Sequence, residues 1–416
     1  MPLFTVLYEY ILKHKQDNCM QIIVVGGGFG GVKAALELSK NKKARVTLIT
    51  DKPDFQYYPS LYSTATGGSR MQSWVPLGEI FAHRDNVHVI LDTVTSLDRE
   101  KRTITTASGA VHEYKKLVLS LGSVTTYFGI KGLDQYAFGI KSQKEIQRLK
   151  QHLLQSFSQA NKVDSRLLII GAGPTGVELA SSLGAYLARL RTKFNQPNPY
   201  MTISIIEAAP RVLPRMSEKA SALVEARLKK LGINVELNKK VESETADSLI
   251  VNGKPIKSST VVWTSGVANN PFYAANASQF ELAPNGRVVV DEHMRVDPRV
   301  YVIGDNAVTP YGGLAQTALH DGAYVAKQIL GKSNKPYKAK QPPVVVPVGE
   351  NWALFEYKWI RFGGWMGALM RQAADLIGYR DILPLSQAID TWRTQTIKED
   401  DVLIAGFSEV KEAEAK

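Results

Sequence analysis

Cysteine is nearly absent: one residue, Cys19, in 416. A lone thiol excludes an intramolecular disulfide, a redox-active CxxxxC pair and a cysteine-rich zinc site. Long apolar runs are also missing. No stretch of about 18 uninterrupted apolar residues occurs, which argues against a transmembrane helix. The N-terminal MPLFTVLYEYILKHK has no basic leader, and Tyr8, Glu9 and Tyr10 interrupt its apolar residues, so it does not read as a signal peptide. A cytoplasmic protein is expected. Acidic residues are in short supply, 39 against 51 basic, for a net charge of +12. No zinc-finger, RNP or helix-turn-helix pattern accompanies that charge, so a nucleic-acid partner is not expected. An acidic protein or an anionic membrane surface stays open.

What the chain does contain is one supersecondary plan used twice. Gln21–Val25 is a β-branched apolar run, followed by a glycine cluster, a helical pattern through VKAALELSK, and the strand RVTLIT. The plan returns about 145 residues later as RLLII, a second glycine cluster, VELASSLGAYLARL and TISII. Each is a β-α-β unit of a parallel sheet. The pair predicts an α/β fold with two Rossmann-like dinucleotide-binding domains.

The first cluster, Gly26-Gly27-Gly28-Phe29-Gly30-Gly31, is G-x-G-x-x-G. Gly26 permits the turn, Gly28 the approach of a pyrophosphate, and Gly31 close helix–strand packing, with the phosphates on the helix N-terminus. An acid should follow the second strand and bind the adenosine ribose. Thr50 stands where it is first sought, and Asp51 comes one residue later, as a ribose ligand or as a turn cap before Lys52-Pro53. The second cluster, Gly171-Ala172-Gly173-Pro174-Thr175-Gly176, has Glu207 directly after its strand. A carboxylate there accepts from a 2′-hydroxyl and repels a 2′-phosphate, favouring NADH over NADPH, while Arg211 nearby could offset it. A third signal is RVYVIGDNA, in which Gly304-Asp305 follows an apolar strand, either as a flavin ribityl ligand or as an N-cap. The helix from about Gln316 then points its N-terminus at the flavin site.

Taken in order, VVGGGFGGVKAALEL, YPSLYSTATG, YFGIKGLDQYAFGIKS, IIGAGPTGVELA, VVWTSGV, VYVIGDNA, LAQTALHDG and LIGYRDIL resemble the type II NADH dehydrogenases, single-subunit NADH:quinone oxidoreductases that do not pump protons. The resemblance spans roughly residues 20–383. It implies a glutathione-reductase-like fold with the FAD domain split around the NADH domain, FAD and NADH as cofactors, and a membrane quinone as acceptor. It adds Phe29, Gly122, Gly266 and Ala315 to the nucleotide-contacting candidates. It places Glu178 near nicotinamide and quinone, as a proton relay, as an orienting group, or as a partner of helix-end amides. The family's AQxAxQ quinone motif reads here Ala315-Gln316-Thr317-Ala318-Leu319-His320. Gln316 is kept as a catalytic, cofactor-binding and quinone residue, and His320 replaces the second Gln, as a hydrogen-bond donor or a solvent-side helical residue.

The expected domains are an extension (1–19), the first stretch of the FAD domain (20–125), the NADH domain (126–270), the second stretch of the FAD domain (271–350) and a C-terminal segment (351–416). GKSNKPYKAKQPPVVVP reads as a polar linker or edge, and four of the six tryptophans follow it. In WMGALMRQAADLIGY, apolar residues from Trp365 to Ile377 form one helical stripe, interrupted by Gln372, Ala374 and Asp375, with Arg361, Arg371 and Arg380 in or beside it. That pattern suits an amphipathic helix on an anionic lipid surface, or packing against the FAD domain or a homodimer partner. The stripe Leu3, Phe4, Leu7, Tyr8, Ile11, Leu12 carries the same two readings, and Met20 is a candidate natural start. The expected place is therefore the cytoplasmic face of the membrane, peripherally. The alternative function is a soluble NADH-dependent reductase of a ferredoxin or rubredoxin. The lone cysteine argues against disulfide and sulfide:quinone reductases.

Overall fold

The computed structural model describes residues 20–158, 166–194 and 201–400. The N-terminal stripe and Cys19 lie outside the described residues.

Strand β1 (Met20–Val25) sits between β2 (Ala44–Thr50) and Lys116–Leu119 (β4), parallel to both. Its last four residues are buried, because helices cover both faces of a parallel sheet. The sheet order is β9-β10-β4-β1-β2-β3, with β3 at Val87–Leu91, β9 at Arg295–Asp297 and β10 at Val300–Val302. The last two come from the far side of the second domain, so the first domain is split in sequence. The second sheet runs β7-β6-β5-β8, from Asn234–Glu236 (β7), Thr202–Ile206 (β6), Arg166–Ile170 (β5) and Thr260–Trp263 (β8), all parallel. The chain leaves the first domain through Ser123–Thr125 and returns through Val267–Asn269. These two strands pair antiparallel, so both crossings lie side by side.

Helix α1 (Phe29–Ser39) follows β1, α2 (Gln143–Ser158) precedes β5, and α3 (Pro174–Lys193) follows β5. Helix α4 (Ala315–Ile329) crosses α1 backbone to backbone. A Cβ on Gly322 would lie 2.4 Å from the Gly30 carbonyl, so only glycine allows that approach.

The antiparallel strands β11 (Val344–Pro347), β12 (Ala353–Tyr357) and β13 (Ile360–Phe362) form one sheet, so the unit expected from residue 351 already starts at β11. Val346, Val348 and Leu354 join the core of the second domain. Helices α5 (Trp365–Arg380) and α6 (Leu385–Arg393) follow. The burial of α5 is opposite to a core-packed apolar stripe. Arg371, Asp375 and Tyr379 are buried, whereas Trp365 is 71%, Leu369 56% and Ile377 61% exposed. Asp375 therefore does not interrupt the outer stripe; it belongs to the inner face.

Candidate active site

The two glycine turns are built alike. Gly26 and Gly171 take φ of +106° and +108°, a region that favours glycine. A Cβ on Gly31 would lie 2.0 Å from the Gly26 carbonyl, and one on Gly176 would lie 1.9 Å from the Gly171 carbonyl. The third glycine of each motif thus lets the helix lie against the preceding turn. At Gly28 and Gly173 a Cβ would meet nothing within 4 Å. There the backbone itself faces open space, as an approaching pyrophosphate requires.

The acids differ in register. Gly26 N–H bonds the Ile49 carbonyl and Gly171 N–H bonds the Ile206 carbonyl, both at 2.8 Å. Ile49 therefore matches Ile206, and Thr50 matches Glu207. Glu207 accepts from the Ala172 N–H at 2.6 Å and the Ala209 N–H at 2.8 Å. Its two oxygens keep lone pairs for ribose hydroxyls. Asp51 is exposed and lines the cavity over the first turn. Arg211 is tied to the Met216 and Pro214 carbonyls and the Ser221 hydroxyl, each at 2.7 Å. Its guanidinium is committed to folding this loop rather than held out for a 2′-phosphate.

A cavity of about 480 Å³ runs from Gly26–Gly30 and Asp51 past Gly122 and Gly304-Asp305 to Ala315 and Thr175. Gly122 and Asn306 exchange hydrogen bonds of 2.9 and 2.7 Å, which fixes the floor. Asp305 accepts from the Ser123 hydroxyl and from the Gly313 N–H, both at 2.9 Å. These bonds aim its carboxylate into the cavity wall. Ala315 opens α4, whose amides carry a partial positive charge toward the cavity. Gly266 turns at φ +71°, and a Cβ there would strike the Thr126 carbonyl at 2.6 Å. Phe29 is buried against Phe55 and Tyr57 at ring distances of 4.9 and 5.7 Å, while lining the cavity. The bare Gly28 backbone, the helix N-terminus and the carboxylates at both ends fit a dinucleotide such as FAD.

Glu178, from α3, is 9% exposed. Burial pushes its carboxyl up to about 8, against the pull of Arg371. Arg371 reaches it at 3.8 Å but bonds Asp375 at 2.9 Å, so Asp375 is its close ionic partner. Asp375 also accepts from the Tyr57 hydroxyl at 3.0 Å, and Arg371 donates to the Pro59 carbonyl. Gln316 is exposed in the first turn of α4. His320, expected at the quinone site, is not among the cavity's lining residues. Its Nε2 lies 3.1 Å from the Lys338 carbonyl and its ring packs against Tyr337. The segment that reads as a free polar linker is fastened to α4 here, also by Tyr324 to the Lys335 carbonyl and Tyr337 to Asp321. That strap holds the His320 ring, and burial lowers its pKa. Gln56, Tyr58 and Lys141 line the cavity and Arg371 and Asp375 surround Glu178, yet the sequence singles out none of these five as a site residue. Tyr58 and Lys141 lie within stretches that carry the resemblance, but no motif assigns any of the five a role, because their elements are brought together only by folding.

Residues 20–322 match the pyridine nucleotide-disulphide oxidoreductase family model. NdhA of Mycobacterium tuberculosis, a type II NADH:quinone oxidoreductase, is 28% identical over 397 residues, covering 87% of this chain and 84% of the relative. The type II NADH:quinone oxidoreductase of Staphylococcus saprophyticus is 28% identical over 332 residues, covering 74% and 81%. The structure of NDH2 from Plasmodium falciparum in complex with NADH has a TM-score of 0.80 at 18% identity, covering 90% of this chain and 97% of that one, and shares the fold. With both nucleotide turns and the split first domain in place, the chain belongs to the pyridine nucleotide-disulphide oxidoreductase family, in its type II NADH dehydrogenase branch.

Proposed function

We propose that the chain oxidises NADH and passes the electrons through FAD to a quinone at a membrane surface. One observation carries this reading: Thr175, from the second glycine turn, lines the same cavity as Gly26–Gly30 of the first. The two nucleotide sites therefore open onto each other. When bound, FAD supplies a two-electron carrier between the substrates. Gly26, Gly28, Phe29, Gly31, Asp51 and Gly122, with Gly304, Asp305 and Ala315, hold it. Gly171, Gly173, Thr175, Gly176, Glu207 and Gly266 hold NADH and present its nicotinamide at the junction. Holding reacting atoms in contact is the main catalytic task in such a transfer.

A quinone needs two protons with its two electrons. Glu178 is protonated at neutral pH through its burial and lies beside the buried face of α5, so it can deliver one. Gln316 lies exposed at the start of α4 and orients the quinone from that side.

No helix among the described residues is long and apolar enough to cross a membrane. The outer face of α5 and α6 instead exposes Trp365, Met366, Leu369, Met370, Ile377 and Leu385, with Trp359 beside them. Exposed Lys358 and Arg380 flank that face. Apolar and basic together, it suits the cytoplasmic surface of an anionic bilayer, where quinone is dissolved.

The test reduces FAD-loaded protein with NADH, then adds a short-chain quinone or a ferredoxin, with and without anionic vesicles. Rapid reoxidation by quinone and co-sedimentation with the vesicles are expected. Reoxidation by ferredoxin alone would overturn the quinone assignment. Failure to sediment, with a dimer of this chain in solution, would give the apolar face to a second copy.

A further inference from the structure

The segment leading into α2 puts a lysine into the nucleotide cavity. Lys141 is clamped through its main chain on both sides. Its N–H donates to Glu145 Oε2 at 2.7 Å, and its carbonyl accepts from the buried Gln56 amide. The clamp fixes the backbone and leaves only the side-chain stem to reach. The stem carries a half-buried ammonium to the cavity wall. Among the described residues that ammonium has one hydrogen-bond acceptor, the Gly266 carbonyl at a long 3.4 Å. An ammonium has three donors. Desolvation lowers its pKa, and the Glu145 and Asp305 carboxylates oppose that fall. A poorly satisfied cation on a cavity wall is prepared for an anionic or carbonyl-rich ligand edge.

Its place along the cavity says which edge. Gly28, Asp51 and Thr93 mark one end, where the first domain holds adenosine and phosphates. Lys141 contacts the Gly266 turn of the second domain and shares the lining with Thr175 of the second glycine turn. This is the junction at which nicotinamide and flavin ring meet. The other lining cations stand elsewhere along the cavity. Lys52 follows β2 beside Asp51, Arg287 packs over Gly312, and Arg215 lies exposed near Gly313.

The chemistry at that junction moves charge. A hydride leaves C4 of NADH with both electrons of the broken C–H bond and forms a new bond to the flavin. NADH becomes NAD⁺, and the flavin ring gains one negative charge. A fixed cation in a partly desolvated site stabilises that charge far more than it stabilises the neutral oxidised ring. We propose that Lys141 is the charge partner of the reduced flavin, and that it raises the cofactor's reduction potential and thereby the driving force for oxidising NADH.

The proposal rests on the FAD and NADH reading above, and the experiment separates the two. Wild type, K141M and K141R are prepared as FAD-loaded protein, with flavin content measured by absorbance. The two-electron potential is then measured against a reference dye. K141M is expected to bind FAD, with the preference for the reduced form cut about tenfold, a fall of about 30 mV. K141R should restore most of it. An unchanged potential in flavin-loaded K141M overturns the role of Lys141. So does a variant whose only defect is weaker NADH binding. Wild-type protein that takes up FAD yet is not reduced by NADH would instead overturn the functional reading. Should K141M lose FAD altogether, K141R decides: a potential matching wild type supports the charge role, and a lowered one overturns it.

Discussion

The two glycine turns are copies in backbone and differ in the side chains set on them. Their first glycines share φ within two degrees, at +106° and +108°, and a Cβ on either third glycine would strike the first glycine's carbonyl, at 2.0 and 1.9 Å. Two positions after the third glycine, the first helix carries Lys33 and the second Glu178. Both reach the same C-terminal helix region: Lys33 is ion-paired with Asp381 at 2.8 Å, and the buried Glu178, its carboxyl raised to about 8, lies 3.8 Å from Arg371. The backbone repeat serves the phosphates, which are alike in FAD and NADH. On the function proposed above, the side chains set on it serve what differs: the first copy would anchor the resident cofactor and the second would face the chemistry.

The sharpest way to break the comparison is at the third glycine. Gly176→Ala would drive a methyl into the Gly171 carbonyl at 1.9 Å. A cost of roughly 4 kcal/mol corresponds to about a thousandfold in NADH affinity, with FAD still bound. Titration of the FAD-loaded variant with NADH measures this. Simultaneous loss of FAD would show that the two domains do not fold independently.

Next in size is Glu178→Gln. Glu178 is buried with its carboxyl raised to about 8, so the proton-donating form persists through neutral pH and disappears as pH rises past that value. Wild-type flavin reoxidation by quinone should therefore slow above about pH 8. The Gln variant should be slower by about a hundredfold at pH 7 and flat across that range, with NADH reduction of the flavin intact. A stopped-flow pH series reads both half-reactions. A variant that keeps the wild-type profile removes Glu178 from the proton path.

The two strand–turn–helix units are legible in the sequence because a glycine turn is local: strand, turn and helix lie within about thirty residues. The split of the first domain is legible through the resemblance, which keeps the motifs in order. The orientation of α5 is not. Periodicity gives two faces, apolar and polar, but not which one is buried. Here Arg371, Asp375 and Tyr379 turn inward because partners from distant segments meet them, Tyr57, Pro59 and Gln72 among them. The contact of His320 with the strap at Lys338 is not legible either, since the two meet only in the folded chain. Lys141 lies in the AFGIKS end of a stretch that carries the resemblance, but nothing in that stretch gives it a role, which comes from the cavity it enters.

A smaller effect is expected at Glu207. Its bonds to the Ala172 and Ala209 amides already hold it at the turn. Glu207→Gln keeps the shape and removes the charge. It should raise KM for NADH about tenfold, on the order of 1.5 kcal/mol for a charge-assisted hydrogen bond. The preference over NADPH should narrow as well, because the repulsion of a 2′-phosphate is lost. Parallel KM measurements with both nucleotides check it; an unchanged ratio would show that Glu207 does not read the ribose.

The smallest effect belongs to Asp51, and the register explains why. Thr50 occupies the position of Glu207, is 4% exposed, and places its hydroxyl beside Gly27, where a Cβ would lie 2.7 Å away. The short, neutral Thr50 side chain brings no carboxylate to the turn, and the acid comes one residue later, in solvent at the cavity edge. An exposed carboxylate competes with water for each ribose hydroxyl and gains little from the exchange. Asp51→Asn should therefore weaken FAD binding only about threefold, roughly 0.6 kcal/mol, readable from fluorescence on rebinding FAD to apoprotein. If the loss instead matched that of Glu207→Gln toward NADH, the one-residue shift would carry no energetic consequence. The two turns would then be equivalent in their acids as well as in their glycines.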